Sequence, residues 1–148
     1  MTERIYNMWK EGRTRLNHAL KGIEGEDLKK RLAEDTNSIG FLMEHIAEVE
    51  LLFAKNIFGD QSIKIKAQTI IDGHDSGEWT DFESINDLLN KAEQKLGKVI
   101  KSQSNNAWDE EVTTKEFGTK SKAEAFARVI THTAYHAGQI AMIKKYGN

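Results

Sequence analysis

The sequence predicts an all-α protein, a four-helix bundle with a long crossover between the second and third helices. Three observations carry that expectation. The 148 residues include no proline, so the strongest helix breaker is missing. Four separate stretches repeat apolar residues at three- and four-residue steps. Two of them follow the Ser/Thr-x-x-Glu spacing that satisfies free amides at a helix start, Thr80 with Glu83 and Ser121 with Glu124.

The first predicted helix runs from about Glu3 to Leu20. Ile5, Met8, Trp9, Leu16, Ala19 and Leu20 form its apolar side, and Lys10, Glu11, Arg13 and Arg15 suit a solvated face. Gly22 and Gly25 end it, and a polar connection follows with room for one turn around Leu28. Asn37 or Ser38 can cap the second helix, about Ser38 to Phe58. Its buried stripe is Ile39, Leu42, Ile46, Val49 and Phe53, flanked by Phe41, His45 and Leu52. Between Gly59 and Trp79 no period survives, which marks a crossover expected to pack over the bundle or line a site. Phe82, Ile85, Leu88, Leu89, Ala92, Leu96, Val99 and Ile100 carry the third helix to about Lys101. The next connection holds Trp108, Val112 and Phe117, with VTTKEF suited to a short extended piece. Such a crossover lets two sequential helices run parallel. Residues 1–148 are expected to form a single domain.

Composition excludes several roles. The 21 basic and 23 acidic residues are interspersed, with a net charge of −2 and no basic tract for nucleic acid. Apolar runs are short and the first residues, MTERIYNMWKEGR, are charged, so neither a membrane span nor a signal peptide is expected and the location expected is cytoplasmic. With no cysteine the chain has no disulfide, thiolate ligand or sulfur nucleophile.

The fourth helix, from Ser121 to about Tyr146, combines helical pattern with chemistry. Its inward seam reads Ala125, Val129, His132, His136, Gln139, Ile143, with polar residues where the period calls for apolar ones. Histidines four apart share a face one turn apart and can offer two ring nitrogens to one ion. A shuffled chain with this many histidines would show such a pair about one time in six, so a third ligand is needed. His45 fits, because it lies beside the buried stripe of the second helix. His45, His132 and His136 would suit a borderline divalent ion such as Zn²⁺, Ni²⁺ or Fe²⁺ and leave an open coordination position. The bland alternative is three separate histidines, each with one hydrogen-bonded nitrogen.

Lesser candidates surround these. Glu48 is one turn from His45 and can hold a ligand ring, or simply be solvated. Gln139 can orient substrate or water, or be a buried amide bonded to backbone. His74 lies in the crossover and His18 near the end of the first helix, where it can meet the last carbonyls. Tyr135 reads as packing, while Trp79 and Trp108 sit in connections where they can wall a pocket. Phe126, Ile130, Ala134, Ala137 and Ala141 form a second apolar flank on the fourth helix, suited to a homodimer or to another helix of the same chain.

The segments from Asn37 to Glu48 and from His132 to Ile140 resemble the DinB-like family, which includes YfiT-type metal-dependent hydrolases and thiol-dependent S-transferases. The resemblance covers nearly the whole chain. It implies a bundle with a crossover, and a metal held by one histidine of the second helix and two of the fourth, which here are His45, His132 and His136. It also implies a homodimer and, for the S-transferases, a low-molecular-weight thiol joined to an electrophile. Family members often have a bulky basic residue after the last histidine, where this chain has Ala137. The function expected is therefore enzymatic, with the metal activating a thiol or water. A non-catalytic, stress-associated protein whose ion staples two helices is the competing class. A fourth protein ligand would favour stapling, and an open position facing a pocket would favour catalysis.

Overall fold

A computed structural model describes all residues, 1–148. It is all-α apart from one small hairpin. The long helices are α1 (Thr2–Leu20), α2 (Ile39–Asn56), α4 (Phe82–Ser102) and α5 (Lys122–Tyr146). A short helix, α3 (Gln68–Asp72), interrupts the crossover, and strands β1 (Glu111–Thr114) and β2 (Gly118–Ser121) pair antiparallel before α5. None of the helices is long and apolar enough to cross a membrane.

Cap chemistry explains the helix starts. Ser38 accepts from the Phe41 amide at the start of α2, and Ser121 and Glu124 exchange both bonds of a capping box at the start of α5. At α4 the expectation of a Thr80–Glu83 box is corrected. Asp81 is the cap, its carboxylate accepting from the Ser84 amide at 3.1 Å. A carboxylate beside the free amides also gains from the helix dipole, which a threonine hydroxyl does not.

The helices enclose one continuous apolar core. α2 packs chiefly on α4, and α1 on α5, with α2 against α5 completing the contact that matters for the site. Gly40 at the start of α2 lies under the Trp79 carbonyl, just before α4, and Lys95 of α4 reaches Asp60, just past the end of α2, at 3.6 Å. The two helices therefore run parallel, as a long crossover allows. Gly40 is required: a Cβ there would lie 1.9 Å from the Trp79 oxygen. The crossover is tied down by Asp75, which accepts from the Ser38 amide at 2.7 Å and from Arg31 at 3.3 Å. At the other end, buried Trp108 packs on Phe58 and Phe126 and donates to Thr2 Oγ1 at 2.8 Å. Burial of a side chain that large stabilises by about 1.5–3 kcal/mol. Trp79 packs edge-on against Phe41, so both tryptophans serve the core.

Two readings of α1 change. Met8, placed on the apolar side, is exposed, and Arg13, placed on the solvated face, is buried. Arg13 follows Trp9 by four residues and precedes Leu16 by three, which puts it on the inward face; its charge is matched there by buried Glu50 of α2. Part of the second flank of α5 packs within the chain: a Cβ on Gly12 of α1 would meet the Ile130 side chain at 2.8 Å, Phe126 packs on Phe58 and Trp108, and Ala137 is buried, while Ala141 is exposed. Ala137, where family members often have a bulky basic residue, is buried. VTTKEF contributes β1 and the turn of a hairpin, because Gly118 adopts a positive φ of 71° that lets the chain reverse into β2.

Candidate metal centre

His45 comes from the middle of α2, and His132 and His136 come from consecutive turns of α5. The facing helices bring their rings together. His132 Nε2 lies 3.1 Å from His45 Nε2 and 3.0 Å from His136 Nε2, and one ligand atom from each residue falls within 4.8 Å of the others. Two imidazoles on a tetrahedral Zn²⁺, each about 2.0–2.1 Å from the ion, would hold their nitrogens roughly 3.3 Å apart. The observed spacing matches a ligand set.

Proton placement decides between a ligand set and three hydrogen-bonded rings. The Thr69 hydroxyl has one proton and gives it to Glu48 Oε2, so it accepts from His45 Nδ1 at 2.9 Å. His45 then carries its proton on Nδ1 and directs a lone pair from Nε2. His136 Nδ1 lies 2.6 Å from Gln139 Oε1, an acceptor, so its Nε2 is again a lone pair. Two lone pairs thus flank His132 Nε2, and His132 Nδ1 is buried without any partner. A single proton on His132 Nε2 can serve only one neighbour. A cation among the three nitrogens satisfies all of them, so the residues present fit a divalent ion.

Glu48 is buried and organises this arrangement from below. Its carboxylate accepts from the Gln68 amide at 2.6 Å and the Thr69 amide at 3.0 Å, the first free amides of α3, whose own preceding residue Ala67 supplies no side-chain cap. Glu48 therefore fixes α3 over the site and, through Thr69, fixes the His45 tautomer. Burial pushes its carboxyl up and these three donors pull it back. Thr69 is the residue that sequence reading missed. It lies in the irregular crossover, and no period signals which of its hydroxyls turns inward.

The electrostatics favour neutral rings. Burial, then the charge of neighbouring His136, pushes His45 down to about 4. Burial, followed by His136, His45 and Arg128, takes His132 down to about 3. Burial lowers His136 as well, and its bond to Gln139 opposes the shift. Neutral imidazole is the form that binds a metal. Glu44, one residue before His45, is pushed up to about 7 by burial and then by Glu48.

A cavity of about 710 Å³ opens beside the cluster, lined by His45 and His132 together with Val49, Phe53, Ile70, Glu116, Arg128, Thr131 and Tyr135. Gln139 faces a separate hollow near Leu42 and Asn37, with its carbonyl on His136 and its amide 3.4 Å from Tyr135 Oη. His74 is exposed and bonded to the Asp72 carbonyl, away from the cluster. His18 is exposed in the last turn of α1.

A helical fold that holds three convergent histidines, two of them at the wall of a cavity, defines a candidate metalloprotein. Its family is now clear: the chain belongs to the DinB superfamily, whose sequence model matches residues 8–140 and so spans all three histidines. No curated protein matches the chain.

Proposed function

We propose that this protein is a metal-dependent enzyme that joins a low-molecular-weight thiol to a small electrophile. His45, His132 and His136 would hold a divalent transition ion, with Zn²⁺ or Ni²⁺ the best matched to three imidazoles and Fe²⁺ next. One observation carries the reading: three Nε2 atoms converge, the outer edges of His45 and His136 are held by Thr69 and Gln139, and His45 and His132 line a cavity. No carboxylate or fourth imidazole joins the three in the cluster, which suits catalysis better than a helix staple. When bound, the ion would acidify the thiol, or water in a hydrolytic variant, so that the nucleophile exists near neutral pH.

The chain's own residues do the rest. Thr69 and Gln139 keep the Nδ1 protons on His45 and His136 and so keep both rings in the ligating tautomer. Val49, Phe53 and Ile70 exclude water from one side of the cavity. The thiol must come from solution, because the sequence has no cysteine. In the transfer, a sulfur–carbon bond forms as the carbon's bond to its leaving group breaks. The leaving group departs with the electron pair, and the thiol proton passes to solvent. The same proposal takes residues 1–148 as one cytoplasmic four-helix-bundle domain that assembles as a homodimer, which light scattering reads directly.

The test pairs metal analysis with kinetics. Purified protein should carry about one divalent ion per chain, and a His45→Ala, His132→Ala, His136→Ala variant should carry none. Thiol consumption with a reactive electrophile should require both metal and added thiol above the uncatalysed rate. Equal rates for loaded and stripped protein with every thiol in a panel would overturn the transferase reading.

A further inference from the structure

The cavity beside the histidines continues into a second hollow of about 290 Å³ lined by Leu52, Ile57, Thr114 and Phe117. Val49, Phe53, Ile70 and Glu116 border both. The result is a trench that starts at His45 and His132 and runs between α2, α3 and the β1–β2 turn. Its floor is aliphatic and aromatic. Ile70 keeps 43% of its surface exposed at the edge, so apolar area remains for a ligand to cover.

Only two charged side chains, Arg128 and Glu116, line the mouth nearest the histidines. They pair at 3.0 Å, with side chains 46% and 65% exposed, and an ion pair this wet is readily exchanged. The partners are not equivalent. Arg128 stands on α5 one turn before His132, with its guanidinium stacked 5.3 Å over Phe117. Glu116 stands in the tight turn between β1 and β2, beside Lys115. The arginine has a second contact on the Phe117 ring, whereas the more exposed glutamate has only the ion pair. The Thr131 hydroxyl is spent on the Ala127 and Arg128 carbonyls, which leaves Arg128 as the strongest handle for a ligand's polar group.

We infer that this trench binds a small electrophile with an apolar body and one anionic group: the body lies along Val49, Phe53 and Ile70, and the anion replaces Glu116 on Arg128. Naming the ligand an electrophile rests on the proposed function, whereas its binding does not require the metal. A cation in the histidine cluster would add to the pull on an anion and repel an amine.

The experiment titrates octane-1-sulfonate, octan-1-ol and octylamine into the full chain, both metal-loaded and metal-stripped, by calorimetry. A sulfonate is a weak metal ligand, so its preference reports on Arg128. The sulfonate should bind about tenfold more tightly than the alcohol in both forms, with the amine weakest. Arg128→Gln should bring the sulfonate to the level of the alcohol, and Glu116→Gln should tighten it severalfold by removing the competitor. Ile70→Ser should weaken sulfonate and alcohol alike. Preference for the amine, or sulfonate affinity unchanged in Arg128→Gln, would overturn the inference. Intact sulfonate selectivity in a protein that takes up no metal would overturn only the catalytic reading; thiol transfer without that selectivity would overturn only this one.

Discussion

The histidine cluster and the Arg13–Glu50 cluster interrupt the apolar interface of the same helix, α2, and each reaches α5, yet they handle buried polarity in opposite ways. Glu50 is fully buried, pairs with Arg13 of α1 and accepts from Thr133 of α5 at 3.2 Å. Glu93 of α4 adds a second carboxylate 3.4 Å from Arg13. Burial pushes the Glu50 carboxyl up, and Arg13 and Thr133 pull it back. Apart from Arg13 Nε, the polar atoms of that cluster meet one another. At the histidines, His45 and His136 meet partners on their outer edges, His132 Nδ1 meets none, and the lone pairs of His45 and His136 both point at His132 Nε2. One cluster is closed upon itself and can be read as a device for setting helix register. The other leaves three converging ring nitrogens that could hold a divalent ion.

The most severe way to break this contrast is Glu50→Leu. It leaves Arg13 buried with only the partly exposed Glu93, and should cost about 3–5 kcal/mol in urea unfolding. Arg13→Met together with Glu50→Leu should recover most of that loss, since an apolar pair of similar volume replaces an ion pair. No recovery would mean that the charges do more than balance each other.

A matched pair of threonine variants sharpens the comparison. Thr69→Val removes the acceptor for His45 Nδ1 and should weaken metal binding about 10–100-fold. Thr133→Val removes the same hydroxyl from the closed cluster, and should cost about 1 kcal/mol of stability with metal affinity unchanged per folded chain. Competition with a chromogenic chelator reads both. Equal metal affinities for the two variants would defeat the assignment of Thr69.

The smallest effect is in pH. His45 and His132 titrate near 4 and 3 in the folded, metal-free chain, below the ordinary value of about 6.5. The unfolded chain therefore binds more protons over this range. The rings' contribution to stability is present above about 6.5 and is lost as pH falls toward 4. Glu44, raised to about 7, acts in the opposite sense, stabilising below about 4.5 and losing that contribution as pH rises through 7. The difference between the metal-stripped chain and its triple-alanine variant isolates the histidines. Their unfolding free energies should diverge between pH 6.5 and 4, with the histidine protein falling faster. Parallel curves would show that the rings are not held neutral.

What the sequence by itself determined follows from local physics. Apolar periods placed the four long helices because each needs one buried stripe, and Ser38, Ser121 and Glu124 marked where two of them begin because free amides need nearby acceptors. The i,i+4 spacing put His132 and His136 on one face, and the apolar company of His45 put it at the same interface. Three matters were decided only in the tertiary structure. Arg13 is buried because Glu50 arrives from another helix, and a charge pattern on α1 alone describes an exposed residue. Ile130 meets α1 because of how the two helices pack, and nothing in its spacing distinguishes that from a subunit interface. Thr69 reaches His45 because Glu48 caps a five-residue helix from a distance of 21 residues in sequence. Periodicity reports which face of an element is apolar; which buried polar group meets which partner depends on contacts between elements, and at this site those contacts fix the protons.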